Sequence, residues 1–233
     1  MANLSGRDRA NYVQEMFARI APRYDLMNRL MTAGQDIAWR REVIRRTALP
    51  KSGHLLDLGA GTGDLGREAL RQFPGSQVVL ADFTIEMMKI GLLRQHSDHL
   101  NWSASDALRL PFPAQSFDAV VSGFLLRNVS DIDQALLEQY RVLKPCGRIG
   151  CLDTTRPGKS LLTPLINVHL NVVIPAVGEI FTGEPDAYTY LPVSTEQFLD
   201  AEQLAARMIA AGFNRVGFRR LMFGTIAIHW GIK

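Results

Sequence analysis

Residues 55–65, LLDLGAGTGDL, decide the fold because an apolar run passes directly into a glycine-rich turn. The run begins at Leu55, reaches an acid at Asp57, and then places glycine at alternate positions from Gly59 to Gly63. Glycine adopts the positive φ angles of tight turns, and its missing Cβ lets a ligand approach the backbone. The pattern therefore predicts a strand, a ligand-binding turn and a helix.

Strands and helices alternate along most of the chain. Apolar spacing predicts helices at 8–20, 36–48, 84–95, 132–143 and 200–212. The last of them ends at Gly212. Strands are predicted at 53–58, 76–82, 101–105, 116–124 and 147–155. A hairpin about Gly224 closes the chain. This order predicts a Rossmann-like α/β fold, with a mostly parallel twisted sheet, helices on both faces and a C-terminal antiparallel hairpin.

The bulk properties fit one globular domain. The chain has 233 residues, of which 47% are hydrophobic, which suffices for a sizeable core. We expect a single domain over 1–233, with a helical cap at 1–50 and an irregular lid or insert at 156–199. The net charge is only +3, and no basic stripe is interleaved with aromatic residues, so no nucleic-acid partner is predicted.

Cysteine usage and the N-terminus favour a cytoplasmic protein. Cys146 and Cys151 are five residues apart, a spacing typical of neither zinc nor redox motifs, so a reducing compartment is expected. Residues 1–17 lack the apolar segment of a secretory signal. The histidines and acids lack ligand spacing, and no metal site is predicted.

One stretch has the length of a short membrane span. Residues 161–178, LLTPLINVHLNVVIPAVG, contain no Asp, Glu, Lys or Arg. Pro164 and Pro175 interrupt the run, and Asn167 and His169 place polar groups in its middle. We therefore expect a core helix or an apolar lid over a greasy substrate.

The acids beside the glycine turn discriminate between two cofactors. Residues 61–66, GTGDLG, match the fingerprint G-x-G-x-x-G, and Asp82 ends the next strand where an acid can bind a ribose diol, so NAD is one candidate. Asp57 and Asp64 would repel a pyrophosphate. S-adenosylmethionine combines adenosine with a sulfonium cation and an amino group. The acids therefore favour S-adenosylmethionine.

Further contacts are expected where the parallel strands end, which is where open α/β sheets bind ligands. Asp57 would bind the amino group through water or support the loop. Asp82 would bind the ribose hydroxyls. Asp106 and Ala107, after the third strand, would contact the edge of the adenine.

Longer motifs resemble one enzyme family. DLGAGTGDL, VVLAD, LPFPAQSFDAVV and RVLKPCGRIG are similar to motifs of class I S-adenosylmethionine-dependent methyltransferases. FARIAPRYDLMNRLMTAGQDIAWRR, GFLLRNVSD and YRVLKPCGRIGCLDTTRP resemble the signatures of the UbiE/MenG quinone C-methyltransferases. AYTYLPVSTEQF and MFGTIAIHWG resemble that family's C-terminal segment. The resemblance covers residues 14–231, and YDLMN, LRNV and YTYLPVS are its most specific parts.

The resemblance adds Thr62 and Ser122 to the cofactor contacts by position. The complete predicted cofactor set is Asp57, Gly59, Gly61, Thr62, Asp82, Asp106, Ala107 and Ser122. The chain departs from the family pattern at three positions, with Asp36 where histidine is frequent, Cys146 where glycine is usual and Asp153 where glutamate is usual.

The resemblance implies a reaction in which a methyl group is added to a ring carbon of a prenylated quinol. Deprotonating a quinol hydroxyl makes the ring carbon nucleophilic, and positioning supplies much of the rate. Arg127, in LRNV, is the candidate for stabilising the developing phenolate, with a structural ion pair as the alternative. Asp153 and His169 are candidate bases.

Four residues are candidates for binding the substrate. They are Tyr24 in YDLMN, Asn128, which orients the ring or forms a turn, and Tyr188 and Tyr190, which bind the ring or pack in the lid. An apolar groove for the prenyl tail is expected from residues 161–181 together with Met27, Leu30 and Met31.

The resemblance favours methylation of demethylmenaquinol, with S-adenosylmethionine as cofactor, because TTRP at 154–157 and the compact insert resemble the menaquinone branch of the family. The benzoquinol precursor of ubiquinone and a phytylated naphthoquinol are alternative substrates. An NAD-dependent oxidoreductase and a non-catalytic cofactor-binding subunit are alternatives of other classes. A greasy substrate predicts peripheral contact with the inner face of the cytoplasmic membrane, and a homodimer is compatible with these features.

Overall fold

A computed structural model describes residues 6–95, 97–156 and 194–233. Within them the α-helices are α1 (Gly6–Ile20), α2 (Tyr24–Met31), α3 (Asp36–Thr47), α4 (Asp64–Gln72), α5 (Ile85–Leu92), α6 (Ile132–Val142) and α7 (Ala201–Ala210). The strands are β1 (His54–Leu58), β2 (Gln77–Asp82), β3 (Leu100–Ala104), β4 (Phe117–Gly123), β5 (Leu143–Thr154), β6 (Asn214–Leu221) and β7 (Ile226–Ile232).

The strands form one seven-stranded sheet in the order β3-β2-β1-β4-β5-β7-β6. Neighbours from β3 to β5 are parallel, whereas β7 is antiparallel to both β5 and β6. The chain order reverses direction between β1 and β4, and such a switch point is where an open sheet leaves a crevice for a ligand. The predicted fold class, including the C-terminal hairpin, is confirmed.

The core lies on both faces of the sheet because successive strand side chains alternate between them. On one face Leu56 and Leu58 pack with side chains of α6 and α7. On the other face Leu55 packs with side chains of α3 and α4. Asp57 follows the period of Leu55 and therefore points toward α4, a placement that matters for the glycine turn.

Two predicted element bounds differ from the structure by three residues or more. The helix expected over 84–95 ends at Leu92, because Arg94 and Gln95 donate their amides to carbonyls three residues back and form a turn. The strand expected from residue 147 already begins at Leu143, and its pairing with β4 shifts register near Cys146, which has φ = 62°. A turn-like sequence is thus absorbed as an irregularity within β5.

The cap expected at 1–50 divides into two parts. A small apolar cluster of Met16, Ile20 and Met27 joins α1 to α2. Helix α3 instead packs Val43 and Ile44 into the core against the sheet. In the described part of the chain, no helix has both the length and the apolar character that crossing a membrane requires. Residues 161–178 and most of the expected insert lie outside the described residues.

Candidate functional site

A cavity of about 480 Å³ lies at the carboxyl ends of β1 to β4. Leu58, Asp82, Ser105 and Gly123 mark the ends of these four strands and all line it. Five of the predicted cofactor residues also line it, namely Gly59, Gly61, Asp82, Asp106 and Ala107. The strand ends therefore bring together residues that are up to about fifty positions apart in the sequence.

The glycine turn lies where side chains would obstruct the cavity or its neighbours. Gly59, Gly61 and Gly63 have φ angles of 68°, 57° and 89°. A Cβ on Gly59 would lie 2.8 Å from the Leu125 Cδ1 atom, and one on Gly61 would lie 3.1 Å from the Met87 Cε atom. Both the backbone angles and the available space therefore require glycine in this turn.

Asp82 holds the glycine turn while it lines the cavity. Its Oδ2 atom accepts a hydrogen bond of 2.6 Å from the Gly61 amide, and its Oδ1 atom accepts one of 2.7 Å from the Thr84 amide. Burial raises the pKa of Asp82 above its usual value, against the effect of these amides. The carboxylate thus joins β1 to β2, with lone pairs left for a ligand.

Asp57 supports the same turn from beneath. Its Oδ2 atom accepts a 2.9 Å hydrogen bond from the Gly66 amide in α4. Its Oδ1 atom is buried and has no hydrogen-bond partner among the described residues. Burial raises the pKa of Asp57 to about 7, and the nearby Asp82 carboxylate acts in the same direction. Asp57 is not among the residues that line the cavity. The structure therefore shows Asp57 supporting the glycine turn through Gly66 and, in the described part of the chain, it shows no direct access of Asp57 to the cavity.

The remaining predicted cofactor residues fall into two groups. Asp106 and Ala107 line the cavity, and Asp106 accepts the Leu108 amide at 2.9 Å. Thr62 and Ser122 are buried and do not line it. The Thr62 hydroxyl donates a 2.8 Å hydrogen bond to Asp25, so that side chain is engaged by the N-terminal cap.

Helix α1 forms part of the cavity wall. Ala10, Val13, Gln14 and Phe17 line the cavity, and their spacing places them on one helix face. Gln14 Nε2 donates a 3.0 Å hydrogen bond to the carbonyl of Phe83, which follows β2. Helix α1 is therefore fixed to the strand end that carries Asp82.

Two predicted substrate residues meet at this cavity. Tyr24 and Asn128 both line it. The Tyr24 hydroxyl is hydrogen-bonded to the Asn28 side chain, one turn further along α2, whereas Asn128 Nδ2 donates a 2.9 Å hydrogen bond to the Phe124 carbonyl. Burial raises the pKa of Tyr24 above 10.0, although Asn28 and Arg127 oppose the shift. The phenol is therefore neutral near pH 7 and can donate a hydrogen bond to a ligand.

Arg127 and Asp153, two of the predicted catalytic residues, form a buried ion pair. The Nη1 atom of Arg127 lies 3.0 Å from the Oδ1 atom of Asp153, and their side chains are 6% and 2% exposed. The guanidinium carbon lies 5.1 Å from the centre of the Phe124 ring, which lines the main cavity. Arg127 itself lines a neighbouring cavity of about 280 Å³, which shares Val129 and Ser130 with the first.

Three predicted site residues lie outside the described residues: His169, Tyr188 and Tyr190. The groove residues are partly described. Met27 is 1% exposed and packs against Met16 and Ile20, so the expectation that it walls a groove is wrong. Its position in α2 faces α1, whereas Leu30 is 41% exposed.

A model of the ubiE/COQ5 methyltransferase family matches residues 5–233. The chain belongs to the ubiE/COQ5 methyltransferase family. The ubiquinone/menaquinone biosynthesis C-methyltransferase UbiE of Desulfotalea psychrophila is 44% identical over 95% of this chain and 90% of that protein. The demethylmenaquinone methyltransferase of Roseiflexus sp. strain RS-1 is 41% identical over 97% of this chain and 94% of that protein.

Solved structures agree with the fold. The [4+2]-cyclase SpnF superposes with a TM-score of 0.70 and 20% identity, covering 95% of this chain and 94% of that chain. An S-adenosylmethionine-dependent methyltransferase from Thermotoga maritima superposes with a TM-score of 0.66 and 18% identity, covering 94% and 98%. At such identities the likeness establishes the fold alone, and one fold supports unrelated reactions.

The predicted enzyme class, an S-adenosylmethionine-dependent methyltransferase, is confirmed by the family membership. The alternative of an NAD-dependent oxidoreductase is wrong. The site of this methyltransferase agrees with the cofactor on electrostatic grounds. Two buried carboxylates, Asp57 and Asp82, lie at the glycine turn with raised pKa values. A sulfonium and an ammonium group relieve that charge, whereas a pyrophosphate would add to it.

The sequence reasoning missed several residues that line the cavity of the methyltransferase. The aromatic and apolar ones are Phe17, Phe83, Met87, Leu108, Phe124 and Leu125. The sequence position of Phe83 could have indicated its role, since it directly follows the acid at the end of β2; its side chain is 43% exposed. The helical spacing of residues 10, 13, 14 and 17 could likewise have indicated the face of α1 that lines the cavity.

Proposed function

We propose that this protein methylates a ring carbon of a prenylated naphthoquinol, converting demethylmenaquinol to menaquinol. The naphthoquinol precursor is the substrate that the names of both reported relatives include, since one refers to ubiquinone and menaquinone and the other to demethylmenaquinone. The benzoquinol precursor of ubiquinone is the second candidate, because the Desulfotalea name also includes ubiquinone.

One observation carries the proposal. The same cavity is lined by the glycine turn and by an apolar wall that carries two polar side chains. Leu125 and Phe124 contribute to that wall, and Tyr24 with Asn128 supplies the polar groups. A flat apolar ring with hydroxyl groups fits such a wall, since apolar surface supplies affinity and a few placed polar groups fix orientation.

The residues of the chain have distinct roles in this proposal. S-adenosylmethionine supplies an electrophilic methyl group when it is bound. Asp82, Asp106 and Ala107 hold its adenosine at the strand ends, where all three line the cavity. Thr62 and Ser122, which are buried, act from behind the wall by holding the loop and β4 in place.

Arg127 stabilises the phenolate character of the acceptor in this proposal. Its guanidinium carbon lies 5.1 Å from the centre of the Phe124 ring, and the residue lines the neighbouring cavity. Asp153 holds it through the buried ion pair and acts as a positioning residue. The neutral Tyr24 hydroxyl, kept in place by Asn28, orients the ring together with Asn128. His169, Tyr188 and Tyr190 remain candidates for the base and the lid.

The experiment is a mass-resolved product assay. The purified protein is mixed with S-adenosylmethionine, chemically reduced demethylmenaquinol and the reduced benzoquinol precursor of ubiquinone. We expect one methyl group to appear on the naphthoquinol. Methylation of the benzoquinol alone would replace the proposed substrate, and no product with bound cofactor would support a non-catalytic subunit.

We also propose peripheral contact with the inner face of the cytoplasmic membrane. Leu26 and Leu30 of α2 are 52% and 41% exposed. Arg29 lies in the same helix, and Arg23 directly precedes it. Apolar side chains beside basic ones favour anionic lipid surfaces. Cosedimentation with anionic vesicles that carry the quinol tests this. Equal recovery in the supernatant with and without vesicles would refute it.

A further inference from the structure

The N-terminal cap is hydrogen-bonded to the glycine turn through one carboxylate. Asp25, the second residue of α2, accepts a 2.8 Å hydrogen bond from the Thr62 hydroxyl and forms an ion pair with Arg94 after α5. The Asp25 side chain is mostly buried, at 18% exposed. A partly buried carboxylate with two fixed partners joins three separate parts of the chain.

Thr62 lies in the glycine turn, so its movement would shift the backbone that lines the cofactor cavity. It lies between Gly61 and Gly63, both at positive φ, and Gly61 lines the cavity. The Thr62 carbonyl also accepts a 2.7 Å hydrogen bond from Arg67 in α4. The hydroxyl and the carbonyl of Thr62 are therefore both engaged, the first by the cap and the second by the helix that follows the turn.

The residue beside Asp25 lines the cavity next to the glycine turn. Tyr24 is hydrogen-bonded to Asn28 in the same helix, and its Cε1 atom lies 4.0 Å from the Cβ position built on Gly61. One turn of α2 thus places Asp25 against the glycine turn and Tyr24 in the cavity. A shift of either partner is transmitted through a single rigid helix.

A second contact strengthens the connection between cap and turn. Arg40 of α3 is ion-paired with Asp36, and its Nη2 atom lies 3.6 Å from the Oδ2 atom of Asp64 at the start of α4. Asp36 in turn lies 3.2 Å from the Nε atom of Arg29 in α2. Since Asp64 directly follows the glycine turn, α2 is tied to Thr62 directly and, through Asp36 and Arg40 of α3, to the residue that follows the turn.

We propose that Asp25 is a positioning residue that couples cofactor binding at the glycine turn to the ordering of α2 and Tyr24, so that cofactor and acceptor each tighten the binding of the other. The identity of the acceptor rests on the proposed function, whereas the coupling between the cofactor and α2 does not. Two sites coupled through one element must influence each other's affinity reciprocally. The cofactor therefore tightens acceptor binding by the same factor by which the acceptor tightens cofactor binding.

The test measures hydrogen exchange of the α2 backbone amides, with and without S-adenosylhomocysteine, in the full chain. In the unmodified protein we expect the ligand to slow exchange in α2 by about fivefold or more. Thr62→Val removes the hydroxyl and keeps the side-chain shape, and we expect it to abolish the slowing. Thr62→Ser keeps the hydroxyl and should restore it. Asp25→Asn keeps an acceptor oxygen and should retain part of the effect.

Glu202→Gln is the matched control. It removes an ion pair of Glu202 with Arg220, between α7 and β6, far from the cap in the sheet order. Equal slowing in the unmodified protein and in Thr62→Val, with both binding the ligand, would overturn the proposal. So would ligand binding without any change in α2. Failure of the proposed function appears separately, as an absence of methylated naphthoquinol in the mass assay.

Discussion

Arg127 and Asp153 form an ion pair that lies almost entirely out of contact with water. Their side chains are 6% and 2% exposed, the Nη1–Oδ1 distance is 3.0 Å, and Asp153 Oδ2 also accepts the Arg127 backbone amide at 3.3 Å. Burial raises the pKa of Asp153, and the guanidinium opposes that shift. Such a pair is costly to break, because removing one partner leaves the other charge buried and uncompensated.

We predict that Asp153→Leu alone lowers the free energy of unfolding by about 3 kcal/mol or more. The double variant Arg127→Met, Asp153→Leu should lose less than Asp153→Leu, since both charges are gone. Urea denaturation of the two variants measures the difference. Asp133→Asn, which breaks the exposed pair with Arg207, is the control, with an expected loss below about 1 kcal/mol. A double variant less stable than the single one contradicts this account.

The buried carboxyl of Asp57 predicts a pH dependence of cofactor binding. Burial raises its pKa from 3.8 to about 7, so the group is protonated below pH 7 in the cofactor-free protein. A bound cation favours the carboxylate, and binding then releases a proton. Affinity for S-adenosylmethionine should therefore rise with pH up to about 7, by at most about tenfold per pH unit, and then level off.

Calorimetric titration between pH 5.5 and 8.5 tests this dependence. Asp57→Asn should bind more weakly and show a flatter profile. The same carboxyl affects stability with a definite sign. The unfolded chain releases the proton near pH 3.8 and the folded chain near pH 7, so stability contributed by this group is lost as the pH rises between these values. An unchanged binding profile in Asp57→Asn would assign the dependence to another group.

Phe83 is expected to contribute to cofactor affinity through its exposed ring. It directly follows Asp82, lines the cavity, and is 43% exposed. We predict that Phe83→Ala weakens binding of S-adenosylhomocysteine by about fivefold, because an aromatic contact with a flat ligand is worth about 1 kcal/mol. Phe223→Ala is the control, since Phe223 is 72% exposed on the hairpin and does not line the cavity. Equal affinities of the two variants would exclude this role.

The sheet and the strand-end acids could be predicted because their signals are local. Apolar runs and glycine turns recur at each strand, and the sheet order then brings Asp82 and Asp106 to one edge. The ion pair of Arg127 with Asp153 joins residues 26 positions apart, and the bond of Thr62 to Asp25 joins residues 37 apart. Such pairings depend on tertiary packing and leave no periodic signal in the sequence.

The backbone at Cys146 allows a final prediction about stability. Cys146 has φ = 62°, a left-handed conformation that costs a residue with a Cβ about 1 kcal/mol, and its side chain is exposed. Cys146→Gly removes that strain without losing buried contacts, and its added freedom in the unfolded chain offsets part of the gain. We therefore expect stabilisation by about 0.5 kcal/mol in urea denaturation. Cys146→Ala keeps the Cβ and should leave stability unchanged. If Cys146→Ala stabilises as much as Cys146→Gly, the thiol and not the backbone angle is responsible.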